Sequence, residues 1–388
     1  MTTTAAPRPA HPLFRFGLLR DLPRPSAAFA NLGPNWFASV MGTGIVANAA
    51  VTLPFQVPEL HAAATVVWLL ASVLLVGLCG AWAVHWTRHR DNARGHAADP
   101  VMAQFYGAPP MALLTVGAGT LLLGQDLLGG LAVELSWALW LAGTVAGLAS
   151  AVRIPYLMFT RFELTSESAF GGWLMPIVPP MVSAATGALL VPYAAPGQAR
   201  LTMLVACYAL FGLSLLASMI VTTLIWQRLT MHRVGPARMV PTLWIVLGWL
   251  GQSVTAANGL GGMAHLVLPA PYAEAFEAFG LVYGLPVFGF ALLWVAIAVA
   301  ITIRCARDRL PFSLTWWSFT FPVGTVVTGT SALAVHTGAT ALAWAAGFGY
   351  LGLLAAWGIV AARTARGSLR GTLFLPSASA PVGVGAGR

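Results

Sequence analysis

Hydroxyl and amide side chains recur inside otherwise apolar stretches of this 388-residue chain. Groups of this kind can solvate an anion without binding it too tightly to leave, and they can also pass a small neutral solute. They therefore indicate a transport conduit and leave its charge selectivity open. The set comprises Asn35, Ser39, Thr43 and Asn48, then Ser183 and Thr186, then Gln252, Ser253, Thr255 and Asn258, and finally Ser318, Thr320, Thr325 and Thr328.

Ionisable side chains are nearly absent from these stretches, because every Asp and Glu falls in a loop or at the end of a stretch. Transporters that relay protons usually keep a carboxylate or a histidine within the membrane, which argues against a proton relay here. His85 and His89 have the spacing of two metal ligands, but no third ligand accompanies them. His265 and His336 lie near the outer ends of stretches. Two interpretations are open for them: sensors of external pH or ordinary surface histidines. We predict no metal, no cofactor and no catalytic site.

The chain contains ten apolar stretches, and the polar residues lie within some of them. Each stretch is long enough to cross about 30 Å of hydrocarbon at about 1.5 Å per residue. With 58% hydrophobic and 8% charged residues, the chain differs from soluble domains, in which about 25% of residues are charged. The sequence predicts an all-α integral membrane protein with ten transmembrane helices. They span about 34–53, 61–86, 104–124, 131–152, 173–192, 201–226, 241–260, 277–303, 312–334 and 339–362.

Three segments follow from this pattern. Residues 34–366 form the predicted ten-helix transport domain, and residues 1–33 form an N-terminal tail. Within that tail, residues 11–20 mix apolar and basic side chains, as in a short interfacial helix. Residues 367–388 are rich in Gly, Ser, Ala and Pro and are predicted to be disordered.

The net charge of +9 is explained by membrane topology, because all 20 basic residues are arginine and they cluster on alternate loops. With ten spans, Arg200 alone falls on the side opposite to the other arginines. The positive-inside rule then places both termini in the cytoplasm of a cell-membrane protein. Since this rule accounts for the basicity, we expect no nucleic-acid partner.

An internal repeat runs through the odd-numbered stretches. Pro-Pro-Met opens both Pro109–Thr120 and Pro179–Ala188, and each segment reaches a small, Gly- and Thr-containing patch two turns later; looser versions begin at Pro34, Pro241 and Pro322. The spacing of about 60 to 80 residues equals one helical hairpin and predicts five quasi-repeated hairpins around a central pore.

Proline explains which helices should be central. It removes a backbone hydrogen bond, and within lipid the freed carbonyl needs a protein or water partner. We therefore expect kinked odd helices inside and smoother even helices outside, although Pro286 in the eighth stretch breaks this pattern. The predicted kinks are Pro109, Pro110, Pro176, Pro179, Pro180 and Pro322.

Three stretches resemble a known family. Asn35–Ile45, Trp244–Ser253 and Trp316–Pro322 are similar to the first-, seventh- and ninth-helix signatures of the tellurite-resistance and dicarboxylate transporter (TDT) family. That family includes the yeast malic acid permease, fungal sulfite efflux pumps and plant slow anion channels. The resemblance covers the chain from Asn31 to about Arg366.

The resemblance implies a homotrimer in which the five odd helices of each protomer form a pore. It also implies that a phenylalanine of the ninth helix plugs the pore near mid-membrane, and Phe321 matches it by motif. The alternative is an aromatic ring packed on a kink. Phe319, two residues earlier, should face away from the pore. Candidate pore-lining residues are Thr43, Gly44, Gly119, Thr186, Gly187, Gly251, Gln252 and Thr325.

The sequence thus predicts transport of small anions, either C4-dicarboxylates such as malate or related oxyanions. Sulfite efflux, tellurite efflux and inorganic anion conduction are alternatives on the same fold. A membrane-embedded enzyme or sensor is the alternative from another class. Clustered intramembrane His, Asp or Glu residues would favour the enzyme, and an appended soluble domain would favour the sensor; the sequence has neither feature.

Overall fold

The computed structural model describes residues 17–307 and 310–375, and these residues form helices and no strand. The greater part of the predicted interfacial segment 11–20 and all of residues 376–388 lie outside the described residues. The helices used below are α1 (Ala38–Thr52), α2 (Pro58–Arg88), α3 (Ala108–Leu123), α4 (Leu131–Thr160), α5 (Pro179–Leu190), α6 (Gln198–His232), α7 (Val246–Met263), α8 (Tyr272–Arg307), α9 (Phe321–Thr337) and α10 (Thr340–Arg370).

The odd-numbered helices form a closed inner ring. Each contacts the next in chain order, from α1 through α3, α5, α7 and α9, and α9 closes the ring on α1. Each even-numbered helix packs in the outer groove between its two odd-numbered chain neighbours, and α10 packs between α9 and α1. The predicted arrangement of five hairpins, with odd helices inside and even helices outside, is confirmed.

Burial separates the two rings. Eight helices of the described residues are long and apolar enough to cross a membrane. In the three inner ones, 72% to 83% of the most apolar stretch is buried, against 17% to 33% in the five outer ones. The remaining inner helices, α1 and α5, have 15 and 12 residues and are buried along most of their length. A count of ten membrane crossings therefore stays a prediction.

The predicted kinks lie at helix starts and not in helix interiors. Pro109 and Pro110 begin α3, Pro179 and Pro180 begin α5, and Pro322 is the second residue of α9. Proline is well tolerated in the first turn because its missing N–H would have no intrahelical partner there. Pro176 lies in the turn before α5.

Each inner helix follows a short 3₁₀ segment, and in α3, α5 and α9 prolines lie in the first turn of the α-helix. Short 3₁₀ pieces are common at the N-termini of α-helices. These segments are Pro34–Phe37, Met102–Gly107, Gly171–Leu174, Ala237–Ile245 and Leu314–Phe319.

Two outer helices contain a proline in their interior. Pro286 lies inside α8, as the sequence shows, and Pro155 lies inside α4, which runs to Thr160 and so continues past the predicted end of the fourth span. The arginine at position 153 interrupts the apolar pattern but not the helix, because an arginine can extend to the membrane surface from a helix end.

The two described chain ends meet at one end of the bundle, which we call the proximal end. The N–H groups of Leu19 and Asp21 donate hydrogen bonds of 2.7 and 2.9 Å to carbonyls at the end of α10. The ring of Phe374 stacks on Trp36 with centroids 4.9 Å apart. Helix α10 runs to Arg370, four residues past the predicted domain end, and this contact ties it to the entrance of α1. The opposite end is called distal.

Candidate pore and its closing residue

A large cavity occupies the distal half of the axis. Its volume is about 700 Å³, and all five inner helices contribute to its wall. The wall is formed mainly by the C-terminal halves of those helices, so the cavity lies inside the inner ring. Its polar lining residues are Asn48, Thr52, Thr115, Thr186, Gln252, Thr255, Asn258, Glu277, Thr328, Ser331 and His336.

A second cavity lies on the axis toward the proximal end and is almost closed. Its volume is about 20 Å³, and apolar residues dominate its wall. They come from the 3₁₀ segments, the turn before α5 and the first turns of the other inner helices, and include Ala38, Met41, Phe105, Met111, Met175, Val178, Ile245, Leu314, Trp317 and Phe321. The axial path is thus wide at the distal end, where polar and apolar residues share the wall, and narrow and apolar at the proximal end.

Phe321 lines both axial cavities, at the point where the path narrows. Its side chain is 3% exposed. The residue begins α9, and the Thr320 hydroxyl before it donates a 2.7 Å hydrogen bond to the Trp317 carbonyl. Pro322 then sets the helical dihedral angle of the first turn. The change from 3₁₀ to α winding therefore fixes the position of the ring between the cavities.

Phe319 lies away from the axis, among aromatic residues. Its ring contacts the edges of Trp244 and Trp316 with centroid distances of 5.4 and 5.6 Å. Two phenylalanines separated by one residue therefore have different surroundings, one between the cavities and one against the start of α7.

Two of the eight candidate pore-lining residues, Thr186 and Gln252, lie on the wall of the distal cavity. The other six are placed in helix contacts. Trp357 of α10 donates a 3.2 Å hydrogen bond to the Thr43 hydroxyl, and the Thr325 hydroxyl donates to the Pro322 carbonyl at 2.7 Å. Gly44, Gly119, Gly187 and Gly251 make the close contacts described next.

These glycines allow the helices of the bundle to approach one another. A methyl group on Gly251 would meet the backbone of Thr325 and Val326 in α9, and one on Gly119 would lie 2.6 Å from Trp68 of α2. On Gly44 it would lie 2.8 Å from a Thr115 methyl group, and on Gly187 it would lie 2.5 Å from the Cys207 sulfur. Small residues at such positions permit close packing without hydrophobic driving force.

Most hydroxyl groups of the wall are already used as donors. Thr52, Thr115 and Thr186 each donate to the carbonyl four residues earlier, at 3.0, 2.7 and 2.8 Å. Three polar atoms of the wall are buried and have no hydrogen-bond partner among the described residues: Asn48 Oδ1, Gln252 Oε1 and Ser331 Oγ. An amide such as that of Gln252 also carries two N–H donors, which suit an anionic solute. The wall offers weak solvation to an anion.

The five inner helices run in the same direction, with their N-terminal residues around the proximal cavity and their C-terminal residues around the distal one. Each helix dipole places about half a positive charge at its N-terminal end. The outer helices run in the opposite direction but lie farther from the axis. The net axial field therefore favours an anion near the constriction, although no lysine or arginine of the described residues lies on either axial wall.

Sequence reasoning missed the acidic member of the distal wall. Glu277 from the start of α8 lines the distal cavity together with His336 from the end of α9. Both residues are at span ends in the sequence, but their spacing gives no indication that they meet. Neighbouring hairpins bring them together, and only the three-dimensional arrangement of α8 and α9 shows it.

Three further histidines, His85, His89 and His96, form a separate cluster at the proximal end. The rings of His85 and His89 lie 6.5 Å apart, and His96 stacks on His85 at 5.2 Å. His85 Nδ1 is 2.9 Å from the Phe29 carbonyl oxygen. The described residues contain no group of three or more His, Cys, Asp or Glu that could hold a metal ion.

A helical membrane bundle with an axial path interrupted by one buried aromatic ring has the architecture of a channel or carrier. The comparison with known families agrees with this class. A model of the voltage-dependent anion channel family (SLAC1) matches residues 31–365, and the chain belongs to that family. The family resemblance seen in the three sequence stretches is confirmed.

Curated relatives are also membrane transporters. The chain is 28% identical over 310 residues to a sulfite efflux pump of Arthroderma otae, covering 78% of this chain and 82% of that protein. It is 26% identical over 298 residues to an uncharacterised transporter of Methanocaldococcus jannaschii, covering 76% of this chain and 82% of that protein. The protein is an anion transporter or channel of the membrane and not an enzyme.

Proposed function

We propose that this protein conducts small oxyanions along the axis of the inner ring and that the Phe321 ring closes the path. The observation that carries the proposal is the position of Phe321 as a common wall of the wide distal cavity and the narrow proximal one. A single ring rotation would connect the two, because the ring occupies the point at which they meet. Rotamer changes of this kind need no rearrangement of the ring of helices.

Electrostatics support an anion of low charge. The inner helix dipoles attract an anion, and neutral side chains such as Gln252 solvate it without a fixed positive charge. A dianion such as malate would bring two carboxylates past Glu277 with no arginine or lysine on the wall to balance them. The cavity volume does not exclude malate, so charge is the discriminating property.

Sulfite, which is partly monovalent near neutral pH, is the first substrate to test. The fungal relatives named sulfite efflux pumps support this choice. Malate, tellurite and inorganic anions are the other candidates, and their relative fluxes rank the alternatives.

We also propose a cytoplasmic-membrane homotrimer with both termini in the cytoplasm. The concentration of arginine at the proximal end supports that orientation. The outer helices expose large apolar side chains suited to lipid or to a neighbouring protomer. They include Val73 and Val76 of α2, Val145 of α4, Ile220 of α6, Val282 of α8 and Phe348 of α10.

The test is anion flux in proteoliposomes for the wild type, Phe321→Ala and the matched control Phe319→Ala. We expect Phe321→Ala to raise sulfite flux by about tenfold or more, since about 1.4 kcal/mol of barrier corresponds to tenfold in rate. Phe319→Ala should leave the flux near the wild-type value, because its ring contacts Trp244 and Trp316 and neither cavity.

Folded protein must be verified for both variants by size-exclusion chromatography. Unchanged flux in correctly folded Phe321→Ala, or an equal rise in Phe319→Ala, would refute the closing role. Flux of malate in excess of sulfite in every variant would refute the argument from charge.

A further inference from the structure

Three polar side chains form a connected group on the wall of the distal cavity. His336 Nδ1 lies 2.8 Å from Asn258 Oδ1, and His336 Nε2 lies 3.4 Å from Glu277 Oε1. The histidine is 21% exposed and the glutamate 57% exposed, so both are accessible from the cavity mouth. The group joins α7, α8 and α9 beside the path of the transported anion.

Asn258 determines the tautomer of His336. Its Nδ2 donates hydrogen bonds of 2.9 Å to the Val254 carbonyl and 3.1 Å to the Gly280 carbonyl. These two bonds use both amide hydrogens and turn Oδ1 toward the imidazole. An amide oxygen can only accept, so Nδ1 of His336 must carry a hydrogen.

Glu277 therefore faces a nitrogen that has a lone pair whenever His336 is neutral. A carboxylate beside an imidazole lone pair is unfavourable, whereas a proton between the two atoms makes an ion pair. One proton can therefore bind between His336 Nε2 and Glu277 Oε1, because the hydrogen bond from His336 Nδ1 to Asn258 orients Nε2 toward the carboxylate.

Other charged groups on the surrounding elements lie apart from this pair. Glu274 on α8 and His265 after α7 are exposed and do not line the cavity. Helix α1 carries no charged residue, and the arginines of α10 are at the proximal end. Within the described residues, Glu277 and His336 are the titratable groups of the distal wall.

We propose that His336 and Glu277 form a proton-binding site whose occupancy controls anion entry into the distal cavity. The proposal rests on the proposed function and adds its regulation. Without the proton, neutral His336 and ionised Glu277 give the mouth a net charge of about −1, which repels anions. With the proton bound, the pair is neutral and entry becomes easier. Anion flux therefore rises as the pH on the distal side falls.

This site revises the argument against proton binding. Asp, Glu and His are nearly absent only from the residues deep within the spans. The cavity extends to the distal helix ends, so residues at span ends belong to its wall. A proton site at the mouth needs no ionisable group in the hydrocarbon.

The experiment measures sulfite flux in proteoliposomes between about pH 5.5 and pH 8, the range in which histidine usually titrates. Each substitution is made both in the wild type and in the Phe321→Ala background, so that entry is measured with and without the closing ring. His336→Asn keeps a donor near Asn258 but cannot take up a proton. Its flux should stay low and nearly independent of pH over this range.

Glu277→Gln removes the negative charge at all pH values. Its flux at about pH 8 should rise by about threefold or more, to at least the wild-type value at about pH 5.5, since one charge at short range changes local anion concentration by about this factor. The double variant should lose the remaining pH dependence. Because sulfite itself changes charge with pH, nitrate is measured in parallel.

Matched controls use neighbours that do not line the cavity. Glu274→Gln removes the same charge three residues away, and His265→Asn makes the same replacement in an exposed histidine. Both should retain the wild-type pH profile. A wild-type profile in His336→Asn, or a rise in Glu274→Gln equal to that in Glu277→Gln, would overturn the proposal.

A direct measurement separates this proposal from the proposed function. Nitrogen-15 histidine NMR of the reconstituted protein identifies the His336 imidazole among 8 histidines as the signal lost in His336→Asn. The proposal expects this imidazole to gain its proton on Nε2 within the same pH range and to change its titration in Glu277→Gln. If no variant conducts any anion, the proposed function fails, and the NMR titration alone decides the proton site. An imidazole unaffected by pH or by Glu277→Gln would overturn it.

Discussion

The outer helices are more apolar than the inner ones, with mean hydropathies of 1.5 to 2.4 against 1.2 to 1.3 for the three inner helices long enough to span a membrane. The two rings also place different requirements on their sequences. In the inner ring, glycine and threonine contact neighbouring backbone, and each helix begins after a 3₁₀ segment. In the outer ring, helices of 30 to 36 residues expose most of their surface. The difference shows that close packing and precise helix starts are needed where the axial path is formed. Outside it, length and apolarity suffice.

The same difference separates glycines of the two rings. A side chain on Gly251 of α7 would meet the backbone of α9, whereas a side chain on Gly289 of α8 would meet no atom within 4 Å. The first glycine is required by an inter-helix approach, and the second is not. Substitutions at the two positions therefore test the comparison directly.

The largest expected effect is the loss of folded protein in Gly251→Ala. The added methyl group would force α7 and α9 apart, and overpacking of this kind costs about 1–3 kcal/mol. Gly289→Ala should instead maintain or slightly raise stability, because alanine favours helix by about 0.5–1 kcal/mol over glycine. Thermal unfolding in detergent, followed by circular dichroism, measures both. Equal stability of the two variants would contradict the proposed difference between the rings.

A smaller effect is expected for polar side chains of the two rings. Gln252→Leu should lower anion flux by about fivefold in the Phe321→Ala background, because the wall loses one amide and one modest hydrogen bond corresponds to about 1 kcal/mol. Gln227→Leu makes the same change on α6, where the side chain is exposed on the outer ring. That variant should conduct like its parent.

Flux assays with matched protein amounts in the vesicles distinguish these results. If both glutamine variants reduced flux equally, the effect would have to come from the whole bundle and not from the axial wall.

The sequence predicted the two rings well because their cause is compositional. Helices that contact protein on all sides need small residues, and helices that contact lipid do not, so glycine, proline and threonine mark the inner set. Phe321 was proposed from the family resemblance, because the ninth-helix motif places it directly before Pro322. Both features depend on residues that are close in the sequence.

The cavity wall was harder to predict because it depends on how each helix is rotated about its own axis. Gly44 and Gly119 are on inner helices, as expected, but they face a neighbouring helix and not the cavity. Glu277 lines the cavity and was not among the candidates, whereas Asn48 was named in the polar set but not among the eight pore-lining candidates. Rotation is set by contacts between helices, such as the hydrogen bond from Asn48 to the Thr115 carbonyl, which no single helix pattern contains.

The smallest expected effect concerns the short helix Arg90–Ala98 at the proximal end, outside both rings. Burial, and then the neighbouring His85, lower the pKa of His96 below its ordinary value, while Asp99 opposes the shift. Protonation is therefore disfavoured in the folded state, and the unfolded state takes up more protons as the pH falls. Stability should decrease slightly from the ordinary histidine pKa of about 6.5 down to the lower folded value.

His96→Gln should remove this part of the acid sensitivity, while the flux through the axis stays the same. Thermal unfolding between about pH 5 and pH 8 measures it, with His89→Gln as the control, because His89 is the half-buried histidine directly before the same helix. A wild-type decrease in stability that persists in His96→Gln would assign the acid sensitivity to other groups. A change in flux would mean that the proximal histidines act on the axial path. The expectation that this helix does not affect transport would then be wrong.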